Sequence, residues 1–275
     1  MSGTLYLVAT PIGNLGDFSP RAAGTLERVD FIAAEDTRVS MKLLNYLGLK
    51  KQLVSYHQHN RAAAGPQILD RLLAGESCAL VTDAGTPAIS DPGEDLVRLC
   101  AEHGVAVQSI PGCCALISAL AVSGLPTGRF TFEGFLSVNK KERRERLLSL
   151  AAEERTMIFY EAPHRLRTTL ADLLEAFGDR PAALCRELTK LHEETRRTTL
   201  AQAVERYQEQ DPRGEFVLVV AGREPVKEAA VSLEEGVRMV LDRREAGERM
   251  KDAVRQVAAA TGLSRNELYD AVLKA

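Results

Sequence analysis

The chain has 275 residues, 45% of them hydrophobic and 27% charged, with a net charge of −3. That length allows one large or two medium domains with substantial cores. The mild negative charge excludes a global basic field for nucleic acid, so any such contact must use local patches. No apolar run approaches the roughly 18 residues of a membrane-spanning helix. The five cysteines show no C-x-x-C spacing and suit a reducing cytoplasm, with no metal framework.

In chain order, short apolar runs alternate with amphipathic helices, the pattern of an α/β protein. The opening MSGTLYLVATP lacks a basic leader and reads as a first strand, TLYLVAT, followed by the turn PIGNLGD. Ser19 caps a helix with Pro20 at its first position, and Ala22, Ala23, Leu26 and Val29 follow at helical spacing. Strand FIAAED precedes a helix with Leu43, Leu44 and Leu47 that stops at Gly48, and another helix ends at Gly75. Strand CALVT then runs into TDAGTPAISDPG, where two prolines and two glycines imply a shaped loop at a strand end. Helix EDLVRLCAEHG, strand VAVQSIPG and helix CCALISALAVSG complete an N-terminal α/β domain, 1–123.

The composition shifts at SGLPTGR, and NKKERRER brings five basic and two acidic side chains in a polar helix or loop. The alternation restarts after FTFEGF. Strand TMIFYEA, a helix from Pro163 to Gly178, strand AALCREL, helix TLAQAVERYQE and strand GEFVLVVAG form a second α/β domain, 124–224. REPVKEAAV reads as a linker, and only helices are legible in the tail, 225–275. Nine basic and nine acidic side chains leave that tail neutral. Its end reads as helix–turn–helix, with Gly262 closing one helix and Ser264 and Glu267 forming a capping box for the next. Val254, Val257, Ala258, Leu263, Leu268 and Val272 give it an apolar seam.

P-loop, dinucleotide, metalloprotease and nucleophile-elbow motifs are all absent. The prolines of TDAGTPAISDPG also argue against a phosphate cradle, which needs consecutive free N–H groups. Such a loop suits a ligand held by carbonyls, a few amides and close packing. As a bare strand-to-helix connector it would have no ligand at all.

ATPIGNLGD, AAEDTR, DAGTPAISDPG, IPGCCA, FEGFL, FYEAPHR, CRELTKLHEE and GEFVLVV, in this order and spacing, resemble the tetrapyrrole-methylase superfamily over residues 4 to 222. Within it the chain resembles the branch that methylates a ribose 2′-hydroxyl of a decoding-centre cytidine in 16S ribosomal RNA. The resemblance implies two α/β domains with S-adenosyl-L-methionine in the cleft between them, a helical tail, a homodimer, a cytoplasmic location and the small ribosomal subunit as partner. It carries cofactor contacts onto Pro11, Asp83, Gly85, Thr86, Ile89, Pro111, Gly112, Cys114, Ala115, Tyr160, Glu161, Cys185, Phe216 and Val217. Thr86 stands where relatives have an acidic residue, and Asp83 is the compensating carboxylate.

Methyl transfer to a ribose hydroxyl needs positioning and a base or an alkoxide stabiliser. Glu35, Asp36 and Arg38 of EDTR, Glu187 and Lys190 of RELTK, and His164 of EAPHR are candidates, each read more readily as a structural ion pair or helix cap. No metal is required. Lys140, Lys141, Arg143 and Arg144, with Lys251, Arg255 and Arg265 in the tail, are the candidate RNA contacts. For the tail, packing is the alternative reading. His57 and His59 have metal-like spacing but no third ligand. Two rivals are methylation of a tetrapyrrole or a protein side chain, and a DNA-binding regulator without catalysis; the basic segment and appended helices favour RNA over the first, and the neutral tail disfavours the second.

Overall fold

The computed structural model describes residues 2–224 and 231–275, so 225–230 of the expected linker lie outside the described residues. The elements in chain order are β1 (Thr4–Val8), a 3₁₀ turn at Leu15–Asp17, α1 (Pro20–Arg28), β2 (Phe31–Ala34), α2 (Thr37–Leu47), β3 (Gln52–Ser55), α3 (Arg61–Leu73), β4 (Cys78–Val81), α4 (Glu94–Glu102), β5 (Ala106–Ile110) and α5 (Ala115–Ser123). They continue with β6 (Phe130–Phe135), α6 (Lys140–Leu150), β7 (Thr156–Glu161), α7 (Pro163–Phe177), β8 (Pro181–Arg186), β9 (Glu194–Thr199), α8 (Leu200–Glu209) and β10 (Phe216–Val220), then α9 (Leu233–Glu245), α10 (Met250–Thr261) and α11 (Arg265–Lys274).

The α/β class holds. The first sheet has order β3-β2-β4-β1-β5, with every pair parallel. Burial on both faces explains why β2 (FIAA) and β4 (CALV) are uninterrupted apolar runs. Between neighbours β2 and β4 the outgoing connections diverge, β2 to β3 on one side and β4 across β1 to β5 on the other. Such a switch point opens a crevice beyond the carboxyl ends of the strands. The second sheet has order β6-β7-β10-β8-β9, in which only β6 and β7 are parallel.

Two strands escape the sequence reading. β3 (QLVS) offers one pair of apolar residues at a sheet edge, and β9 (ETRRTT) is an edge strand almost wholly polar, so neither carries an apolar run. β9 nonetheless pairs with β8 in unbroken register from Pro181 opposite Thr199 to Arg186 opposite Glu194.

Helix α5 packs its buried Leu116, Ala119 and Leu120 on Ile158, Ala183, Cys185, Val217 and Val219 of the second sheet. It therefore leaves the first sheet's last strand and covers the other sheet. Its start, at Cys114 and Ala115, is carried to where the two sheets meet.

The tail from Glu224 to Ala275 is a separate compact unit. Its seam residues Val254, Val257, Ala258, Leu268 and Val272 close on Val240 of α9, with Leu263 packed beside them. Gly236 admits this contact, since a Cβ there would lie 2.4 Å from Leu263. The expected box at Ser264 is half made, with the Ser264 hydroxyl accepting from the Glu267 N–H. The complete box sits at the start of α9, between Ser232 and Glu235. Among the described residues no helix is long and apolar enough to cross a membrane.

Candidate active site

A cavity of about 440 Å³ lies where the carboxyl ends of the first sheet meet β7, β8 and β10 of the second. That volume is in the ordinary range for small-molecule sites. From the first sheet it is lined by Ile12 after β1, Glu35 after β2, residues 82–86 and 89–91 after β4, and Cys114 and Ala115 at the start of α5.

Main-chain bonds bind these loops into one wall. Thr10 and Gly85 exchange N–H···O bonds of 2.8 and 3.0 Å, and the Thr10 hydroxyl donates to the Thr82 carbonyl at 3.0 Å. The Thr86 hydroxyl donates to the Cys113 carbonyl at 3.0 Å, joining the β4 loop to the β5 loop. Within TDAGTPAISDPG, Ala88 (φ 67°) and Ser90 (φ 63°) both adopt the left-handed conformation. Non-glycine residues there carry a strain of order 1–3 kcal/mol each and cluster at functional sites. The strained pair immediately precedes Asp91.

The wall is acidic. Glu35 accepts from the Thr82 hydroxyl at 2.6 Å and from the Asp83 N–H at 3.4 Å, while Asp83 accepts from the Asp36 N–H at 3.2 Å. Burial, and then the Glu35 charge, raises Asp83 above the usual carboxylate range. The same two causes push Asp91 up to about 6. Asp91 is ionised at neutral pH yet a far better proton acceptor than an ordinary carboxylate.

The second sheet supplies a different wall: Phe135, Tyr160, Glu161, Ala162, Pro163, Cys185, Leu188, Phe216 and Val217, with Lys190 and Glu215 at one side. It is mostly apolar; β7, β8 and β10 end in regular register, while Leu188 lies between left-handed Glu187 (φ 51°) and Thr189 (φ 66°). Tyr160 accepts from the Leu116 N–H at 3.2 Å, and burial pushes its phenol up to about 12, so it stays neutral. Glu161 is fully occupied beneath the wall: it accepts from the Thr169 hydroxyl and the Ala162 N–H and pairs with Arg165. Lys190 lies 3.0 Å from Glu187 and 2.9 Å from Glu215. Burial opposes its charge, but the bonds to Glu215 and Glu187 outweigh it and hold the ammonium above its ordinary range. Its stem crosses the backbone of Gly13, where a Cβ would lie 2.5 Å from it.

The structure brings Asp83, Gly85, Thr86, Ile89, Cys114, Ala115, Tyr160, Glu161, Cys185, Phe216 and Val217 together around this cavity. Pro11, Pro111 and Gly112 stand outside the lining. Pro11 separates Thr10, bonded to Gly85, from the lining residue Ile12, and Gly112 lies so close to Ala9 that a Cβ would approach within 2.9 Å. Of the catalytic candidates, Glu35 and Lys190 line the cavity. Asp36 instead caps α2 and pairs with Arg38 at 2.6 Å, and the bonds from Arg38 hold its carboxyl at about 2. Glu187 serves Lys190 and accepts from the Glu215 N–H, the bond that chiefly keeps it below the usual range. His164 is exposed in the first turn of α7. Asp91, Phe135 and Leu188 were missed; the acidic-before-proline pattern SDPG is the one signal that could have marked Asp91.

The basic segment forms α6, capped by Asn139. Lys140, Lys141 and Arg144 are exposed. Arg143 departs from the expectation of an RNA contact: it is buried, pairs with Asp172 at 2.6 Å and donates to the Ser137 and Val138 carbonyls. In the tail Lys251 and Arg265 are exposed, and Arg255 pairs with Asp252 at 3.0 Å. His57 and His59 shape the turn before α3, and among the described residues no cluster of three or more metal-ligating side chains occurs.

The family model for Tetrapyrrole (Corrin/Porphyrin) Methylases matches residues 4–204, and that for the RsmI C-terminal HTH domain matches 232–275. A Synechocystis protein named "Ribosomal RNA small subunit methyltransferase I" is 51% identical over 99% of this chain and 98% of its own length. A Halalkalibacterium halodurans protein of the same name is 48% identical over 98% of this chain and 94% of its own. Among solved structures, uroporphyrin-III C-methyl transferase from Thermus thermophilus complexed with S-adenyl homocysteine has a TM-score of 0.55 at 21% identity, covering 80% of this chain and 97% of that one.

Proposed function

Because the chain belongs to the tetrapyrrole methylase family, in the branch of the ribosomal RNA small subunit methyltransferases I, we propose that it transfers a methyl group from S-adenosyl-L-methionine to a ribose 2′-hydroxyl of a decoding-centre cytidine in 16S ribosomal RNA. The observation that carries this reading is the cavity's two-sided chemistry, a carboxylate wall facing an apolar wall.

The lining suits that cofactor. Ile12, Ile89, Ala115, Leu188, Phe216 and Val217 offer a dry surface for a purine, while Glu35 and Asp83 suit cationic groups. Lys190, the one ammonium in the lining among the described residues, is already neutralised by two glutamates. Gly85 (φ 89°) keeps the loop backbone in the left-handed region, packed so that a Cβ would lie 3.4 Å from Ile12 and 3.7 Å from the Cys113 carbonyl. When bound, S-adenosyl-L-methionine supplies an electrophilic methyl on a sulfonium.

The chain's own residues then have two tasks. The bonded loops around Thr10, Gly85, Thr86 and Cys113 fix the geometry, which supplies much of the rate in an in-line displacement. With the cofactor bound, Asp91 would accept the proton of the ribose 2′-hydroxyl as the carbon–oxygen bond formed and the methyl–sulfur bond broke, and would then return it to solvent. Lys140, Lys141 and Arg144, and the tail's Lys251 and Arg265, hold the phosphate backbone; the tail acts in recruitment.

Labelled methyl transfer tests the reading. Small ribosomal subunits lacking the modification, incubated with methyl-labelled cofactor, should acquire label on a cytidine ribose. Label on a base, on protein or on an added tetrapyrrole would overturn it.

A further inference from the structure

Phe135 ends β6, a strand whose pairing with β7 slips between Phe132 and Gly134. In a regular strand, side chains three apart point to opposite faces. Here the irregularity, with Gly134 at φ 63°, brings Phe132 and Phe135 onto one ring. Their centroids lie 5.0 and 5.5 Å from that of Tyr160, both edge-to-face. Bulges re-aim side chains beside active sites, and this one turns Phe135 into the cavity lining. Phe132 is partly buried against the core, whereas Phe135 remains 56% exposed.

The exposed ring is rigidly mounted. Tyr160 behind it is tethered to the Leu116 N–H. The residues after it are clamped by two arginines: Arg165 donates to the Leu136 and Ser137 carbonyls, and Arg143, held by Asp172, donates to those of Ser137 and Val138. Ser90, in the strained loop beside Asp91, abuts Gly134, where a Cβ would lie 3.1 Å from its hydroxyl. The exposed ammonium groups of Lys140 and Lys141 begin five residues further on. A fixed aromatic face, open to solvent at a cavity's edge and followed by exposed cations, is the arrangement that binds an unpaired base.

We infer that Phe135 is the stacking platform for the base of the nucleotide whose ribose enters the cavity. The inference rests on the RNA-methylating reading above. An unstacked nucleotide loses its neighbours' stacking on leaving its strand, and Phe135 restores one face of that contact while Asp91 meets the ribose. Phe135 is thus a positioning residue for the acceptor and contributes little to cofactor binding.

The chain contains no tryptophan, so Phe135→Trp introduces a single fluorescent reporter. Its emission should be quenched by oligocytidylate, and Phe135→Ala should weaken oligocytidylate binding. With unmodified small subunits, Phe135→Ala should lower kcat/KM by roughly 5- to 150-fold, the range of one base–aromatic stack, chiefly through KM. Cofactor affinity should stay within twofold of the original by calorimetry. Phe135→Tyr and Phe135→Trp should restore transfer, and Phe135→Leu, apolar without a π-face, should not. Full rescue by Leu, unquenched emission, or a parallel loss of cofactor affinity would overturn the inference. Methyl transfer by the unaltered chain reports separately on the functional reading: if it fails while quenching persists, that reading falls and base stacking stands.

Discussion

The two walls of the cavity are built by different means. The first-sheet wall consists of loops after β1, β2, β4 and β5, with left-handed Ala88 and Ser90 and three carboxylates facing inward. The second-sheet wall consists largely of strand ends in regular register, with Cys185 opposite Val217 and Val217 opposite Tyr160. Strain and unfavourable charge persist only where the surrounding fold over-determines them. Left-handed residues occur beside both walls, Glu187 (φ 51°) and Thr189 (φ 66°) flanking Leu188 of the second, but the raised carboxylates Asp83 and Asp91 sit on the first alone. That placement of charge separates a reactive side from a holding side, and substitutions on the two should have different kinetic signatures.

The largest effect is expected at Asp91. Asp91→Asn keeps the shape and removes the proton acceptor, so single-turnover methyl transfer should fall by roughly 10²- to 10⁴-fold, with cofactor affinity by calorimetry nearly unchanged. Equal losses in both would merge the two walls' roles. Within the first wall but away from the raised carboxylates, Ala115→Trp fills the cavity at the start of α5, the helix that packs on the second sheet. It should raise the cofactor's Kd more than about tenfold while circular dichroism and Tm stay near those of the unaltered chain, as expected when only uniform binding is lost.

Adjacent arginines of α6 offer a contrast on a smaller scale. Arg143→Ala removes a buried guanidinium from its pair with partly exposed Asp172 and should cost about 1.5–3 kcal/mol in denaturant unfolding. Reversing exposed Arg144 with Lys140 and Lys141 to Glu should leave unfolding nearly unchanged and flatten the salt dependence of RNA binding, because fewer counterions are released. The tail should matter least to the cavity. A chain ending at Glu224 should bind cofactor normally and show a raised KM for small subunits, since the tail's seam closes within its own unit. An unchanged KM would remove the tail from recruitment.

Most of the framework was legible in the sequence because apolar runs and caps report burial directly. Ser19 with Pro20 and the stops at Gly48 and Gly178 mark helix ends that the structure shows. Edge strands β3 and β9 were not legible, because one buried side or none leaves no apolar run. The motifs pointed to loops now gathered around one cavity, but spacing along the chain could not rank the polar residues within them. EDTR drew attention to Asp36, which is consumed in a cap and ion pair, while Asp91 gains its basicity from burial beside Glu35, 56 positions away in sequence. Arg143 and Arg144 are equivalent in the sequence; the fold buries Arg143 against Asp172 and the Ser137 and Val138 carbonyls and leaves Arg144 exposed beside Glu175. Phe135 depended on a bulge that Gly134 within FTFEGF signals without telling which way the next side chain is turned.

The central claim is that the reactive wall handles a proton and does so through Asp91. Its most direct test is the pH dependence of single-turnover methyl transfer to unmodified small subunits. A carboxyl raised to about 6 must be ionised to accept the proton, so the rate should be level above that pH and fall tenfold per unit well below it. Asp91→Asn should abolish that limb and leave a slow, flat profile. A rate that stays level down to pH 5 in the unaltered chain, or an acid limb that persists in Asp91→Asn, would contradict the account.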